Sequence, residues 1–315
     1  MNSLGKILLY FIGVAVIGAL LSPPLFWGVE KLKPWAMEQG YLKYEIKDGD
    51  KKATGSLGFL ETDFGKISNR AHLITALLLF WPMFRSLKIR NVSMLGLEPN
   101  PHRWRHFAIG YGITLLVMTV LGLLLLKFGV YRMKDPPPWS GLIGITISGL
   151  VVATLEGWMF RGAFQGLFRQ SLGKWGAVAM ASGLFALVHF LKPPETPIQA
   201  EHVNWLSGFA LFPQRFVDFA NPALLLGEFA TLFLLAWVLG WTVLRTKSLW
   251  LGIGIHAAIV LGKFGFNRLT KRPKDMRDLL PWIGEDMAIG VIALGVVALI
   301  WLIVWLFIRK NALDR

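Results

Sequence analysis

Residues 287–308 read MAIGVIALGVVALIWLIVWLFI, 22 consecutive positions without a charged side chain. A helix rises about 1.5 Å per residue, so about 20 apolar residues cross the roughly 30 Å hydrocarbon layer of a bilayer. Three more uncharged stretches of this kind lie at residues 7–29, 107–126 and 136–155. Shorter apolar blocks lie at residues 71–84, 175–191, 229–244 and 248–262. The sequence therefore predicts an all-α fold, a polytopic membrane bundle of about eight transmembrane helices.

The composition of the chain agrees with this prediction. Of its 315 residues 54% are hydrophobic and 17% are charged, whereas soluble domains have about 45–50% and about 25%. The formal net charge is +14, and the basic residues stand between long apolar blocks, which indicates contact with the lipid bilayer rather than with nucleic acid. We therefore expect a multi-pass integral membrane protein, in a bacterial cytoplasmic membrane, with no nucleic-acid partner.

The absence of cysteine limits the chemistry that the chain can carry out. With no cysteine in the sequence, disulfides, thiolate metal sites and a cysteine nucleophile are excluded. Any catalytic site has to be built from oxygen and nitrogen groups.

The domain organisation follows from the same pattern. We expect residues 1–315 to form a single membrane domain with an extramembrane insertion at residues 30–70. Within the insertion, the alternating segment Tyr41–Lys47, the turn dipeptide Asp48-Gly49 and a second possible strand near Leu57–Phe64 predict a small hairpin.

Few ionisable side chains lie in or beside the apolar blocks: Glu156, Arg161, His189, Glu228 and His256. Such a group costs roughly 2.5–3.5 kcal/mol at the centre of a membrane helix, so those present usually face the bundle and function there. A carboxylate and an imidazole can together take a proton from water, and a second imidazole can donate a hydrogen bond to the oxyanion that develops. This set of residues therefore predicts a hydrolytic site.

The motifs that carry these residues resemble those of the CPBP intramembrane proteases, which include the type II CAAX prenyl endopeptidases. They read Glu156-Gly-Trp-Met-Phe-Arg161, Phe185-Ala-Leu-Val-His189 and His256-Ala-Ala-Ile-Val260. The resemblance spans about residues 150–265, and we interpret this region as a catalytic core.

The resemblance implies a role for each matching residue. Glu156 corresponds to the general base for the attacking water, and His189 to the histidine that assists it. His256 corresponds to the histidine on the oxyanion side, and Arg161 to an arginine with a structural and electrostatic role. Phe185 belongs to the second motif and is a possible supporting residue.

Two positions depart from the family pattern. Gly157 stands where the family usually has a second glutamate, which would pair with Arg161 at i, i+4 on an α-helix. Because Arg161 would lie about 140° round an α-helix from Glu156, we predict Glu228 as its acceptor. Val260 stands where the family often has an asparagine, and the loss of one oxyanion donor can cost about 10²–10³ in rate. The sequence predicts a slower enzyme or one with another donor, such as a backbone N–H.

The favoured interpretation is an intramembrane endopeptidase without a cofactor, which cleaves a peptide or membrane-protein substrate. A zinc enzyme is the second mechanism, with Glu156, His189 and His256 as three ligands. A non-catalytic scaffold or chaperone of the same fold is the alternative that Gly157 and Val260 motivate. A transporter ranks behind these because the sequence has no inverted repeat.

Overall fold

The computed structural model describes residues 3–311 except 48–49, 88–90, 96, 192–197, 274–275, 277–278, 280 and 285. Eight long helices lie in this part of the chain. They are α1 (Ser3–Glu38), α2 (Phe64–Ser86), α3 (Arg103–Lys127), α4 (Gly141–Glu156), α5 (Gln165–Phe190), α6 (Ala230–Thr246), α7 (Trp250–Leu269) and α8 (Val291–Asn311).

By length and composition, five helical stretches of the described residues can cross a membrane. These are Gly5–Glu38, Arg103–Lys127, Gly141–Phe190, Pro222–Thr246 and Val291–Arg309. The 50-residue stretch Gly141–Phe190 contains α4 and α5 and has a non-helical backbone at Gly173. Large apolar side chains such as Leu116 (66% exposed) and Ile143 (71% exposed) point outward, as a lipid environment allows. The predicted all-α membrane bundle is confirmed, and the protein is a multi-pass integral membrane protein.

The remaining elements are short. Two antiparallel strand pairs occur, β1 (Lys43–Lys47) with β2 (Asp50–Thr54) and β3 (Arg132–Met133) with β4 (Thr270–Lys271). Short segments of 3-10 or α-helix lie at Gly58–Leu60, Val92–Leu95, Ala200–His202, Ser207–Ala210, Pro213–Ala220 and Pro222–Leu224. Two segments are π-helical, Gly157–Phe164 and Leu225–Phe229.

The hairpin lies earlier in the chain than the sequence pattern suggested. Strand β1 falls within the predicted segment Tyr41–Lys47, whereas the dipeptide Asp48-Gly49 lies outside the described residues. The second strand is Asp50–Thr54, so the prediction of a strand near Leu57–Phe64 was wrong. Lys47 pairs with Asp50, so the second strand begins closer to the first than the sequence pattern suggested.

The described residues group into two compact units. The first comprises Met1–Lys88 and Leu191–Val217, and the second comprises Ile89–Phe190 and Asp218–Arg315. In the first unit α1 packs against α2, where the Ser22 hydroxyl donates to the Ser68 hydroxyl oxygen over 3.1 Å. The expectation of a single domain over residues 1–315 stays a prediction.

In the second unit, glycines bring the backbones of α3 and α7 close together. A Cβ atom at Gly110 would lie 2.5 Å from the carbonyl oxygen of Leu251, and one at Gly254 would overlap the carbonyl oxygen of Phe107. Small residues permit this approach in membrane bundles. The crossing fixes the position of His256, two residues after Gly254.

Helices α6, α7 and α8 share an apolar core in the second unit. Its buried members include Leu239 and Trp241 on α6, Ile255 on α7, and Ile300 and Val304 on α8. Ile109, Ile113 and Val117 of α3 pack against the same core, so this packing holds α7 in place.

Candidate active site

Glu156 is the last residue of α4, and the π-helical segment Gly157–Phe164 follows it without a break. A π-helix has i→i+5 hydrogen bonds, so residues five apart lie near the same face. Arg161 follows Glu156 by five positions and is only 3% exposed. The expected separation of about 140° was therefore wrong, because it assumed α-helical geometry through this segment.

Three helices bring one carboxylate and two imidazoles together. Glu156 Oε1 lies 3.4 Å from His189 Nε2 on α5, and Glu156 Oε2 lies 3.7 Å from His256 Nε2 on α7. The carboxylate thus stands between the two rings, as the motifs predicted. The separation at His256 exceeds direct hydrogen-bond length and suits contact through a water molecule.

The tautomer of His189 follows from its second contact. Its Nδ1 lies 2.9 Å from the carbonyl oxygen of Phe185. Because a carbonyl oxygen only accepts, Nδ1 carries a proton and donates it. In the neutral ring, Nε2 then presents a lone pair toward Glu156.

Phe185 touches each of the groups around the carboxylate. Its ring stacks on the His189 ring with centroids 4.0 Å apart and meets the His256 ring edge-on at 6.0 Å. The Arg161 guanidinium carbon lies 4.8 Å from the centroid of the Phe185 ring, within cation–π range. Phe185 therefore fixes the plane of His189 and covers the buried cation.

Arg161 does not have the acceptor that we predicted. In the described part of the chain its Nε, Nη1 and Nη2 atoms have no hydrogen-bond partner, so the predicted bond to Glu228 was wrong. The π-helical geometry explains why Glu228 is not the partner. It turns Arg161 toward the side of Glu156, and the carboxylate of Glu156 interacts electrostatically with the guanidinium. Glu228 is also buried, and it lines the same cavity as Glu156.

A large cavity opens from these groups. It has a volume of about 990 Å³, and Glu156, Phe185, His189, Glu228 and His256 all contribute to its wall. Most of the remaining wall is apolar. The cavity is therefore suited to an apolar or extended substrate that reaches the carboxylate from within the bundle.

One face of α7 forms a long wall of this cavity. Its residues His256, Val260, Lys263 and Asn267 follow one another at helical spacing and all line the cavity. Eleven residues of helix correspond to roughly 16 Å. Lys263 and Asn267 were not among the predicted site residues, although their spacing from His256 could have indicated them.

Val260 also lies at the wall of this cavity. It lines the cavity one turn after His256, and its side chain has no hydrogen-bond donor. Among the described residues, no group of three or more His, Asp or Glu side chains has the arrangement of a metal site.

The fold and the site define a class of protein, a membrane-embedded helical bundle with a carboxylate between two imidazoles. A family model described as type II CAAX prenyl endopeptidase Rce1-like matches residues 137–262. This region contains all three motifs, so residues 137–262 are similar to the CAAX-protease family of intramembrane proteases. No curated protein and no solved structure matches the chain.

Proposed function

We propose that the protein is an intramembrane endopeptidase of the glutamic type, in which Glu156 and His189 activate a water molecule. The observation that carries the proposal is the placement of Glu156 within 3.4 Å of His189 and 3.7 Å of His256, at the wall of a cavity of about 990 Å³. Exclusion of bulk water from such a site strengthens each electrostatic interaction in it.

The reaction begins with water bound beside the carboxylate. Glu156 takes a proton from this water as its oxygen bonds to the carbonyl carbon of the peptide. The lone pair of His189 Nε2 accepts a hydrogen bond from the reacting water or from the protonated carboxyl group. His256 donates from Nε2 to the oxyanion. When the C–N bond breaks, the proton held by Glu156 passes to the leaving amine nitrogen.

The cavity suggests the class of substrate. An extended peptide rises about 3.3 Å per residue, so the wall formed by α7 accommodates roughly five residues beyond the scissile bond. Helix α4 contributes Gly144 and Ser148 to the wall of the cavity, and their small side chains leave room. We propose that the substrate is a peptide or membrane-protein segment that enters from the bilayer, and a location in a bacterial cytoplasmic membrane stays a prediction.

A cleavage assay tests this function. The full chain is reconstituted in liposomes with a prenylated CAAX peptide, its unprenylated form and a set of transmembrane peptides, and products are identified by mass spectrometry. We expect cleavage that falls at least about 10²-fold in Glu156→Gln and in His189→Ala. Gly112→Ala is the control, because a Cβ atom there would meet nothing within 4 Å.

The same assay can also contradict the proposed function. If no peptide is cleaved by the folded chain, or if Glu156→Gln cleaves at the original rate, the proposal is wrong. Binding of peptides without cleavage would favour the non-catalytic scaffold.

Measurement of bound zinc separates the two catalytic types. For the glutamic type we expect far less than one zinc per purified chain and full activity in the presence of a chelator. One zinc per chain that is lost in His189→Ala would assign the metallo type, since the three groups would then be ligands.

A further inference from the structure

The guanidinium of Arg161 is a buried cation without a hydrogen-bond acceptor among the described residues. Arg161 is 3% exposed, and its Nε, Nη1 and Nη2 atoms have no hydrogen-bond partner in the part of the chain that the structure describes. The faces of Phe160 and Phe185, at 5.9 Å and 4.8 Å, cover the flat side of the group. Its N–H bonds lie in the plane of the guanidinium, so ring contacts leave them unsatisfied.

A second, small cavity adjoins this guanidinium. Its volume is about 10 Å³, and its wall includes Gly157, Arg161 and His256. Gly157 makes the space available, because a Cβ atom there would already lie 3.2 Å from Cγ1 of Ile253. The volume corresponds to one water-sized particle.

The chemistry of the wall decides what this particle is. Arg161 and His256 are its polar side chains, and the other lining residues of the described chain are aliphatic or glycine. All of them lie in helices or, like Leu249, at a helix end where the carbonyl accepts a helical N–H. A water needs acceptors for its own protons as well as donors. This wall supplies hydrogen-bond donors and positive charge, which are what a monatomic anion needs. A water molecule would not make full use of them.

We propose that the small cavity beside Gly157 binds a single halide ion, held by the N–H groups of Arg161. The ion supplies negative charge at the place where glycine has no side chain. The proposal does not depend on proteolysis, and its test uses no substrate.

Halide binding is measured on the full chain in detergent, at constant ionic strength, with gluconate replaced by bromide or chloride. We expect bromide to raise the unfolding temperature, because a ligand of the folded state stabilises it. We also expect the chain to broaden the chloride NMR signal and bromide to reverse the broadening by competition.

Two variants locate the site. Gly157→Ala fills the cavity, and we expect halide affinity to fall at least about tenfold. Gly112→Ala is the matched control and keeps the original affinity. If bromide leaves the unfolding temperature unchanged and the chain does not broaden the chloride signal, the proposal is wrong. The measurement on the unaltered chain tests halide binding even if Gly157→Ala does not fold. If Gly157→Ala folds and binds halide with the original affinity, the ion lies elsewhere and the proposed site is wrong.

Discussion

Val260 lies in the wall of the cavity one helical turn after His256. Its methyl groups lie close to Gly149 of α4, where an added Cβ atom would be 3.1 Å from Val260 Cγ1. A substrate oxyanion beside His256 would therefore receive a hydrogen bond from the imidazole but none from this side chain. An amide at position 260 would add a donor at helical spacing from the first.

We predict that Val260→Asn raises kcat. One oxyanion donor contributes about 10²–10³ in rate in enzymes that evolved with it, and we expect about a tenfold gain here because the surroundings were not built for the amide. The measurement is kcat on the cleaved peptide. Val260→Leu matches the shape of asparagine without its donor, so equal rates in the two variants would contradict the prediction.

Phe185 is a positioning residue for His189, on which its ring stacks at 4.0 Å. We predict that Phe185→Leu lowers kcat about tenfold with little change in KM, since misplaced catalytic groups slow the chemical step. Phe190→Leu is the control, because Phe190 is also fully buried but contacts Phe219 and Phe229 instead. Equal losses of kcat in the two variants would show that only packing is involved.

At the scale of the elements, the crossing of α3 and α7 places His256 opposite Glu156. Gly110 and Gly112 lie two positions apart in α3, and the sequence alone does not distinguish them. In the structure, a Cβ atom at Gly110 meets the backbone of α7, whereas one at Gly112 meets nothing within 4 Å.

Gly110→Ala is therefore expected to lower the free energy of unfolding by about 1–3 kcal/mol through overpacking. Gly112→Ala is expected to leave it unchanged or to raise it slightly, since alanine favours a helix over glycine. Unfolding in mixed micelles, followed by circular dichroism, compares the two. A larger loss in Gly112→Ala than in Gly110→Ala would contradict the described crossing.

The sequence predicts part of this arrangement of elements. Helix length, apolar runs and motif spacing were enough to predict the bundle and to expect that Glu156, His189 and His256 meet. They did not predict the π-helical segment Gly157–Phe164, because no residue type in it is specific to π-helix, and the acceptor assigned to Arg161 was wrong for that reason. The second strand of the hairpin was also misplaced, because its residues 50–54 are mostly polar and lack the apolar alternation of a strand.

At the scale of the whole molecule, a long cavity has Glu156 in its wall. Its course could not be predicted from the sequence, since it depends on how α4, α7 and α8 are spaced. Gly144 lines the cavity, and a Cβ atom there would meet nothing within 4 Å.

We predict that Gly144→Phe fills part of the cavity and lowers kcat/KM about tenfold or more for long peptides, while short peptides are affected less. The free energy of unfolding should stay close to that of the original chain, because the ring enters open space. Gly112→Phe places the same ring on α3, where there is also room, and should leave kcat/KM unchanged. A similar loss for short and long peptides would contradict this account of the cavity.

The origin of the oxygen atom in the new carboxyl group tests the role of Glu156 most directly. A single turnover of the cleaved peptide is run in water labelled with oxygen-18, with enzyme in excess, and the product is analysed by mass spectrometry. If Glu156 activates water, the new C-terminal carboxyl group carries the label after this first turnover. An unlabelled product, with the label found on Glu156 instead, would show that the carboxylate itself attacks the peptide and would contradict the water-activating mechanism.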